Sequence, residues 1–272
     1  MIGGAQQTPE RQDGVSSVAG SLLGPEPTSH LSPITSHFSQ DEQALVPRTV
    51  SIFCSSCPSC KIFLSFSRPS PITFQMSLLT PHALCWRRIM DNNSLEHAVA
   101  QPLAAGLELA GTIVAIHNQA PLEVRYRIEC DADWRTRTLS IEQRLGLQES
   151  SLFLSVDTDG SWNDRHRGPI DYLTGCVDVD LELTPITNSL PVNRLNLAVG
   201  QVEEIAVAWV RFPSLEIVRA RQSYERLSDR TYRYRSLGSG FTADIDVDQI
   251  GLTVRYEGIW ERVAGTSACS VP

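Results

Sequence analysis

Apolar and polar residues alternate with a period of two through most of the chain after Trp86, the spacing that turns one side of a strand to a core and the other to water. In LEVRYRIEC, Leu122, Val124, Tyr126, Ile128 and Cys130 share one face, while Glu123, Arg125, Arg127 and Glu129 share the other. CVDVDLEL has Val177, Val179, Leu181 and Leu183 on its apolar face. GFTADIDVD sets Phe241, Ala243, Ile245 and Val247 against Thr242, Asp244, Asp246 and Asp248. LELAGTIVAI, RTRTLSIE, SLFLSV, EEIAVAWVRF, LEIVRARQSY, TYRYRS and LTVRY continue the series, punctuated by turn signals such as DTDG and RGP. Strands in this number, with no long amphipathic helix between them, predict an all-β, mainly antiparallel domain and exclude a doubly wound βαβ protein. A sandwich, a barrel and a rolled sheet all satisfy the pattern.

Two short segments read as helical. In NSLEHAVAQPL, Pro102 would interrupt or end the helix. In TNSLPVNRL, Thr187 or Asn188 can cap the first turn, and Pro191 sits where an early helical position tolerates it.

Before Trp86 the texture is different. The stretch is rich in Ser, Pro, Gln and Thr and holds nine of the sixteen prolines (Pro9, Pro25, Pro27, Pro33, Pro47, Pro58, Pro69, Pro71 and Pro81), with little apolar periodicity to offset the entropy of ordering it. Residues 1–85 are therefore expected to be a disordered extension, 86–264 the folded domain and 265–272 a flexible tail. Met76 and Met90 are alternative starting points for translation.

With 272 residues and 42% hydrophobic content the chain can bury a sizeable core. Its net charge of -8 and pI near 5.3 argue against nucleic acid or an anionic membrane surface as partner, since both call for clustered Lys and Arg. No apolar run approaches the roughly 18–20 residues that span a bilayer. The opening MIGGAQQTPERQDG has neither the basic nor the apolar region of a secretory leader. The seven cysteines, an odd number without a regular framework, fit a reducing compartment, and a cytoplasmic location is expected.

Candidate chemistry is sparse, and no cofactor is expected. CSSCPSC (Cys54 to Cys60) has thiol spacing suited to zinc or an iron–sulfur cluster, but no fourth ligand follows at the usual distance. Asp157-Thr158-Asp159-Gly160 opens like a calcium loop yet lacks the closing Glu, and reads as a β-turn. Gly238-Ser239-Gly240-Phe241-Thr242-Ala243 matches a dinucleotide-phosphate pattern, but an acidic strand follows it where a helix is required, so a hairpin turn is expected. His97, His117 and His166 come with no nucleophile elbow, and Cys130 and Cys176 lie on apolar faces where a thiol is inert. Asp178 and Asp180 share a strand face with Glu182, their carboxylates ~6–7 Å apart given a rise of ~3.3 Å per residue, within the range of acid pairs that hydrolyse glycosides. The preferred reading is a solvated face partnered by arginines of a neighbouring strand, Arg125 and Arg127 or Arg233 and Arg235.

In order along the chain, Tyr126-Arg127-Ile128, Asp133-Trp134-Arg135-Thr136-Arg137, Asp159-Gly160-Ser161-Trp162, Leu173-Thr174-Gly175-Cys176-Val177-Asp178-Val179-Asp180-Leu181, the run Thr184 to Leu195 (TPITNSLPVNRL), Gln222-Ser223-Tyr224 and Ser239-Gly240-Phe241-Thr242-Ala243 resemble the Putative glycolipid-binding family, formerly a domain of unknown function. The resemblance covers about Trp86 to Arg262 and ends in YEGIWER. It implies a spiral β-roll, a long sheet curled around one helix, with TNSLPVNRL as that helix. It also implies a cleft able to take an acyl chain, and dimers, and brings no catalytic residues. Asn193 departs from the family's Leu-Pro-x-Arg-Arg-Leu, where a second basic residue is frequent; Arg194 is retained.

Two functions follow as expectations. The first is non-enzymatic carriage of a lipid or glycolipid, with Trp134, Trp162, Tyr224 and Phe241 as wall or rim aromatics and Arg194, Asn188 and Gln222 as polar contacts. The alternative is a hydrolase of a glycoside or ester using the Asp178/Asp180 pair. DVDLELTPITNSLPVNRL itself reads as a strand leading into the core helix, its carboxylates and arginine tying the two together.

Overall fold

The computed structural model describes residues 80–267. The Ser/Pro-rich extension up to residue 79, with CSSCPSC, and the last five residues lie outside the described part. The strands are β1 (His82–Arg88), β2 (Ser94–Leu103), β3 (Gly106–His117), β4 (Ala120–Asp131), β5 (Thr136–Leu145), β6 (Gln148–Val156), β7 (Trp162–Asp164) and β8 (Gly168–Pro169). After a 3-10 turn at Asp171–Leu173 come β9 (Asp178–Leu181), a second 3-10 turn (Ile186–Asn188) and α1 (Ser189–Leu195), the one α-helix among the described residues. The chain then runs through β10 (Val202–Val210), β11 (Ile217–Arg226), β12 (Thr231–Ser236), β13 (Thr242–Val247), β14 (Thr253–Tyr256) and β15 (Trp260–Ser267). Among the described residues strand structure runs from His82 to Ser267, and the first and last strands, β1 and β15, pair with each other.

All fifteen strands belong to one sheet, ordered β8-β7-β6-β5-β4-β3-β2-β1-β15-β14-β13-β12-β11-β10-β9. Every pairing is antiparallel except β9 with β10. The eight residues 170–177 carry the chain from β8 at one edge to β9 at the other, a span of at most ~28 Å for an extended chain. Fifteen flat strands at ~4.8 Å spacing would set the edges more than twice as far apart, so the sheet must curl. The curl brings β9 against β5, where the Val179 amide donates to Thr136 Oγ1 at 3.1 Å. The all-β, mainly antiparallel expectation and the curled sheet around one short helix both describe the molecule.

The alternation sorts inside from outside as expected. Leu122, Val124, Tyr126, Ile128 and Cys130 of β4 are buried, as are Ala243, Ile245 and Val247 of β13. On the outer face, arginines pair across strands: Arg127 with Glu108, Arg233 with Asp244 and Arg235 with Glu225. The arginines considered as partners for Asp178 and Asp180 are engaged there instead, and Arg125 pairs with Glu123.

One helical expectation is overturned. NSLEHAVAQPL forms β2, with Ser94, Glu96, Ala98 and Ala100 turned inward. A glutamate on the inner face disguised a period of two. Pro102 is tolerated because β1 reaches only as far as Ala100 along β2, which leaves the proline's missing N–H without a ladder to break.

Segment 184–195 is buried inside the roll and bonded to several strands. The Thr253 hydroxyl donates to Pro185 O at 3.0 Å, the Thr253 amide to Ser189 Oγ at 3.2 Å, and Asn193 Nδ2 to Gly251 O at 3.4 Å. The expected caps do other work. Thr187 Oγ1 donates to Asp180, Asn188 Nδ2 donates to Pro185 O, and the preceding 3-10 turn feeds the helix directly.

Candidate functional site

The inner walls of β9, β11, β12, β14, β15 and β1 border a cleft of about 810 Å³ that reaches the 184–188 segment. Its apolar lining includes Met90, Trp209, Val218, Phe241, Ile259 and Trp260; Tyr234 and Tyr256 add rings with polar tips. Asp180, Thr184, Asn188, Gln222 and Arg88 supply the polar part. The aromatics support one another: the Tyr234 ring lies 5.5 Å from Tyr224 and 5.7 Å from Tyr256 in edge-on geometry, and Phe241 lies 6.3 Å from both Tyr234 and Tyr256.

At one end of the cleft the polar groups form a connected network. Asp180 accepts from Thr187 Oγ1 at 3.0 Å and from Gln222 Nε2 at 2.6 Å. Tyr224 donates its hydroxyl to Asn188 Oδ1 at 2.9 Å. Burial raises the Asp180 carboxyl above its ordinary range, against the Gln222 and Thr187 donors that favour its ionised form. Asn188 and Gln222 each keep one amide N–H beyond these bonds, so the network holds its shape and still has donors for a ligand.

Asp178 is a different kind of residue. It is wholly buried, and Arg194 grips it with Nε at 2.9 Å and Nη2 at 2.6 Å. Burial pushes its carboxyl up, and the Arg194 hydrogen bonds and charge pull it back. This pair ties β9 to the C-terminal end of α1, as the reading of DVDLELTPITNSLPVNRL anticipates. Only Asp180 of the two acids borders the cleft, together with Glu182, so the geometry does not offer the Asp178/Asp180 pair to one substrate.

The seven expected ligand contacts divide into three groups. Asn188, Gln222 and Phe241 line the cleft. Tyr224 stands behind it, bonded to Asn188. Arg194, Trp134 and Trp162 are elsewhere. Trp134 has a left-handed backbone (φ 64°) in a turn shaped by Asp131, whose carboxylate accepts the Asp133 and Arg135 amides, and its ring is buried in the core. Trp162 Nε1 donates to Cys176 O at 2.9 Å, which fastens β7 to the segment entering β9. Asn193, the departure from the family pattern, is buried against Gly251 rather than facing the cleft.

Sequence reasoning passed over Arg88, Thr184, Trp209, Tyr234, Tyr256 and Trp260. The alternation in TYRYRS already put Tyr232 and Tyr234 on one face, but nothing in the chain marked that face as a cleft wall. Behind Thr184 lies a second surprise, Glu96. The hydroxyls of Tyr126 and Thr184 both donate to its Oε1, the latter at 2.7 Å, while Oε2 is buried without a partner. Burial pushes this carboxyl up to about 8, despite both hydrogen bonds. Tyr126 reaches Glu96 by crossing over Gly111, where an added Cβ would fall 2.5 Å from the tyrosine oxygen.

A second hollow, about 450 Å³ on the outside of β4–β6, is lined by charged and polar side chains including the Arg144–Glu149 pair. It offers no apolar wall. Among the described residues no cluster of His, Cys, Asp and Glu could hold a metal ion, and no helix is long and apolar enough to cross a membrane.

A family model described as "Putative glycolipid-binding" matches residues 83–262, and the chain belongs to that family. Among solved structures it is similar to a DUF1089 family protein from Pseudomonas aeruginosa, at 32% identity over 63% of this chain and 92% of that one, with a TM-score of 0.58. A fainter likeness, on which nothing rests, is to a beta-barrel-like protein of domain of unknown function DUF1849 from Brucella abortus, at 8% identity, 70% and 99% coverage and a TM-score of 0.43. No curated protein matches.

Proposed function

We propose that the protein is a non-enzymatic carrier of a lipid or glycolipid, held in the cleft between the inner sheet wall and the 184–188 segment. The observation that carries this reading is the pairing in one cavity of an aromatic wall with a preorganised polar end. The volume of about 810 Å³ lies in the range of small-ligand sites, ~300–1,000 Å³. An acyl chain lies along Trp209, Tyr234, Phe241 and Tyr256, and hydroxyl-bearing groups meet Asp180, Asn188 and Gln222. Tyr224 acts through Asn188, and Arg194, Trp134 and Trp162 support the roll.

Native mass spectrometry of the purified full chain, followed by organic extraction, tests the reading. An acyl species at about one per protomer supports it. A clean apo mass, with no adduct after incubation with mixed fatty acids and glycolipids, refutes it. The same reading places the protein in the cytoplasm, in keeping with the free thiols of Cys85, Cys130 and Cys176. It also includes a homodimer formed through the outer face of β2 and β3, where Leu95 and Val114 pair and Ile116 follows, all more than half exposed. Light scattering of Val114→Lys, monomeric where the wild type is dimeric, tests that surface.

A further inference from the structure

Four buried side-chain atoms among the described residues have no hydrogen-bond partner, and three of them occupy one patch of the inner wall: Arg88 Nε, Ser94 Oγ and Glu96 Oε2. Strand register explains the clustering. Arg87 pairs with Leu95 and Trp86 with Glu96, so one step further along the ladder Arg88 lies beside Ser94, with all three side chains on the inner face. Buried polar atoms are almost always satisfied, and a group of orphans at a cavity wall marks a place for something the protein does not itself supply.

Arg88 borders the cleft. Its guanidinium makes no hydrogen bond within the described residues. The neighbouring carboxylate, Asp91, is 3.4 Å from Nε, outside hydrogen-bonding geometry, and one-third exposed. The Trp260 ring, 5.9 Å from Arg88 Cζ, restricts the side chain to the wall. Of the other arginines bordering the cleft, Arg221 is paired with Glu204 and Arg219 is exposed to solvent. On the opposite side Asp180 is satisfied by Thr187 and Gln222, and Glu182 accepts the Phe212 amide. Arg88 and Ser94 both have donors to offer. Glu96 has one as well in its neutral form, the form that burial favours. Donors that converge on a cleft wall, with the partly exposed Asp91 ion pair at 3.4 Å as the competing acceptor, suit an oxyanion.

We infer that the Arg88 end of the cleft is a subsite for the oxyanion of an amphiphile, a carboxylate or a phosphate, whose chain runs over Met90, Ile259 and Trp260. This rests on the carrier reading and sharpens it: the ligand is anionic, with its charged group at β1 rather than at the Asp180 network. The charge is met directly by Arg88; Ser94 and Glu96 lie behind the surface, where a bridging water can join them to the bound group.

The test is titration calorimetry of the delipidated full chain with palmitate, palmitoyl lysophosphatidate and the neutral monopalmitin. The wild type is expected to bind one or both anions about 10- to 100-fold more tightly than monopalmitin, the range of one charge-assisted contact. The tighter anion identifies the source, carboxylate or phosphate. Arg88→Met should erase the preference, so that the anions bind no more tightly than monopalmitin, and Arg88→Lys should restore part of it. Should Arg88→Met fail to fold, the exposed Asp91→Asn serves instead, and loss of that competing carboxylate should tighten anion binding a few-fold. Equal binding of anionic and neutral probes, or a preference that survives Arg88→Met, or no gain in Asp91→Asn, overturns the subsite and leaves the carrier reading standing. Failure of all three probes to bind overturns both.

Discussion

Strands β3–β6 and strands β11–β14 share one sheet and one inward–outward alternation, yet their inner faces differ in kind. The first set turns in Leu109, Ile113, Val124, Ile128, Leu139, Ile141 and Leu154, which with Tyr126 belong to one large, mainly aliphatic core. The second turns in Gln222, Tyr224, Tyr232, Tyr234 and, on β14, Tyr256, around a smaller cluster with Val192, Ile245 and Val247. Branched aliphatic side chains interdigitate to fill space. Planar rings stand edge to edge, Tyr224 and Gln222 keep their polar tips bonded, and a cavity is left along the wall. A single repeating pattern thus builds a solid half that holds the roll together and an open half that can take a guest.

Four substitutions would break or sharpen that contrast. The largest effect is expected at the strut between the halves, where Asp178→Ala leaves Arg194 buried without its partner and should cost ~3–5 kcal/mol in denaturant unfolding. Wild-type stability in that variant would mean the pair merely decorates the fold. In the aliphatic half, Ile128→Ala should cost ~2–5 kcal/mol and leave amphiphile affinity unaltered, since Ile128 is buried and does not line the cleft. A change in affinity would show that the halves are mechanically coupled.

Glu96 sits where the two chemistries meet, and its effect depends on pH. Its folded-state pKa, about 8, is above the ordinary 4.5, so the native state retains a proton that the unfolded chain releases. The stabilisation is complete below about pH 4.5 and is lost as pH rises toward about 8. Melting temperatures across that interval should therefore fall more steeply for the wild type than for Glu96→Gln, and parallel slopes would show that Glu96 is ionised in the folded protein. The smallest effect on stability belongs to the open half: Phe241 is 41% exposed, and Phe241→Ala should change unfolding by under ~1 kcal/mol while weakening amphiphile binding several-fold. The reverse outcome, a large loss of stability with intact binding, would move Phe241 from the cleft into the core.

Much of this was legible along the chain. The faces of LEVRYRIEC and TADIDV are the faces found, and TNSLPVNRL is the helix. β2 was not legible, because Glu96 on its inner face imitates the polar position of an amphipathic helix, and only the enclosing Tyr126 and Thr184 explain how a carboxyl comes to lie there. Of the expected contacts, Asn188, Gln222 and Phe241 reach the cleft. Trp134 and Trp162 look like ligand aromatics in sequence, but one is held inward by the Asp131 turn and the other by Cys176 O, contacts that spacing does not encode.

Local chemistry was enough to establish a β-protein with alternating faces, its turns and the site of its helix, because these depend on neighbours within a few residues, and the arginine and aspartate that join helix to strand lie only 16 residues apart in one continuous stretch. Tertiary structure alone decided that the sheet curls until β8 and β9 become its two edges, that Arg88, Asp180, Tyr234 and Tyr256 border one cavity, and that Glu96 is sealed from water. Those outcomes depend on which strands meet across the roll and on the volume their side chains leave unfilled, quantities that emerge only when distant segments are packed together.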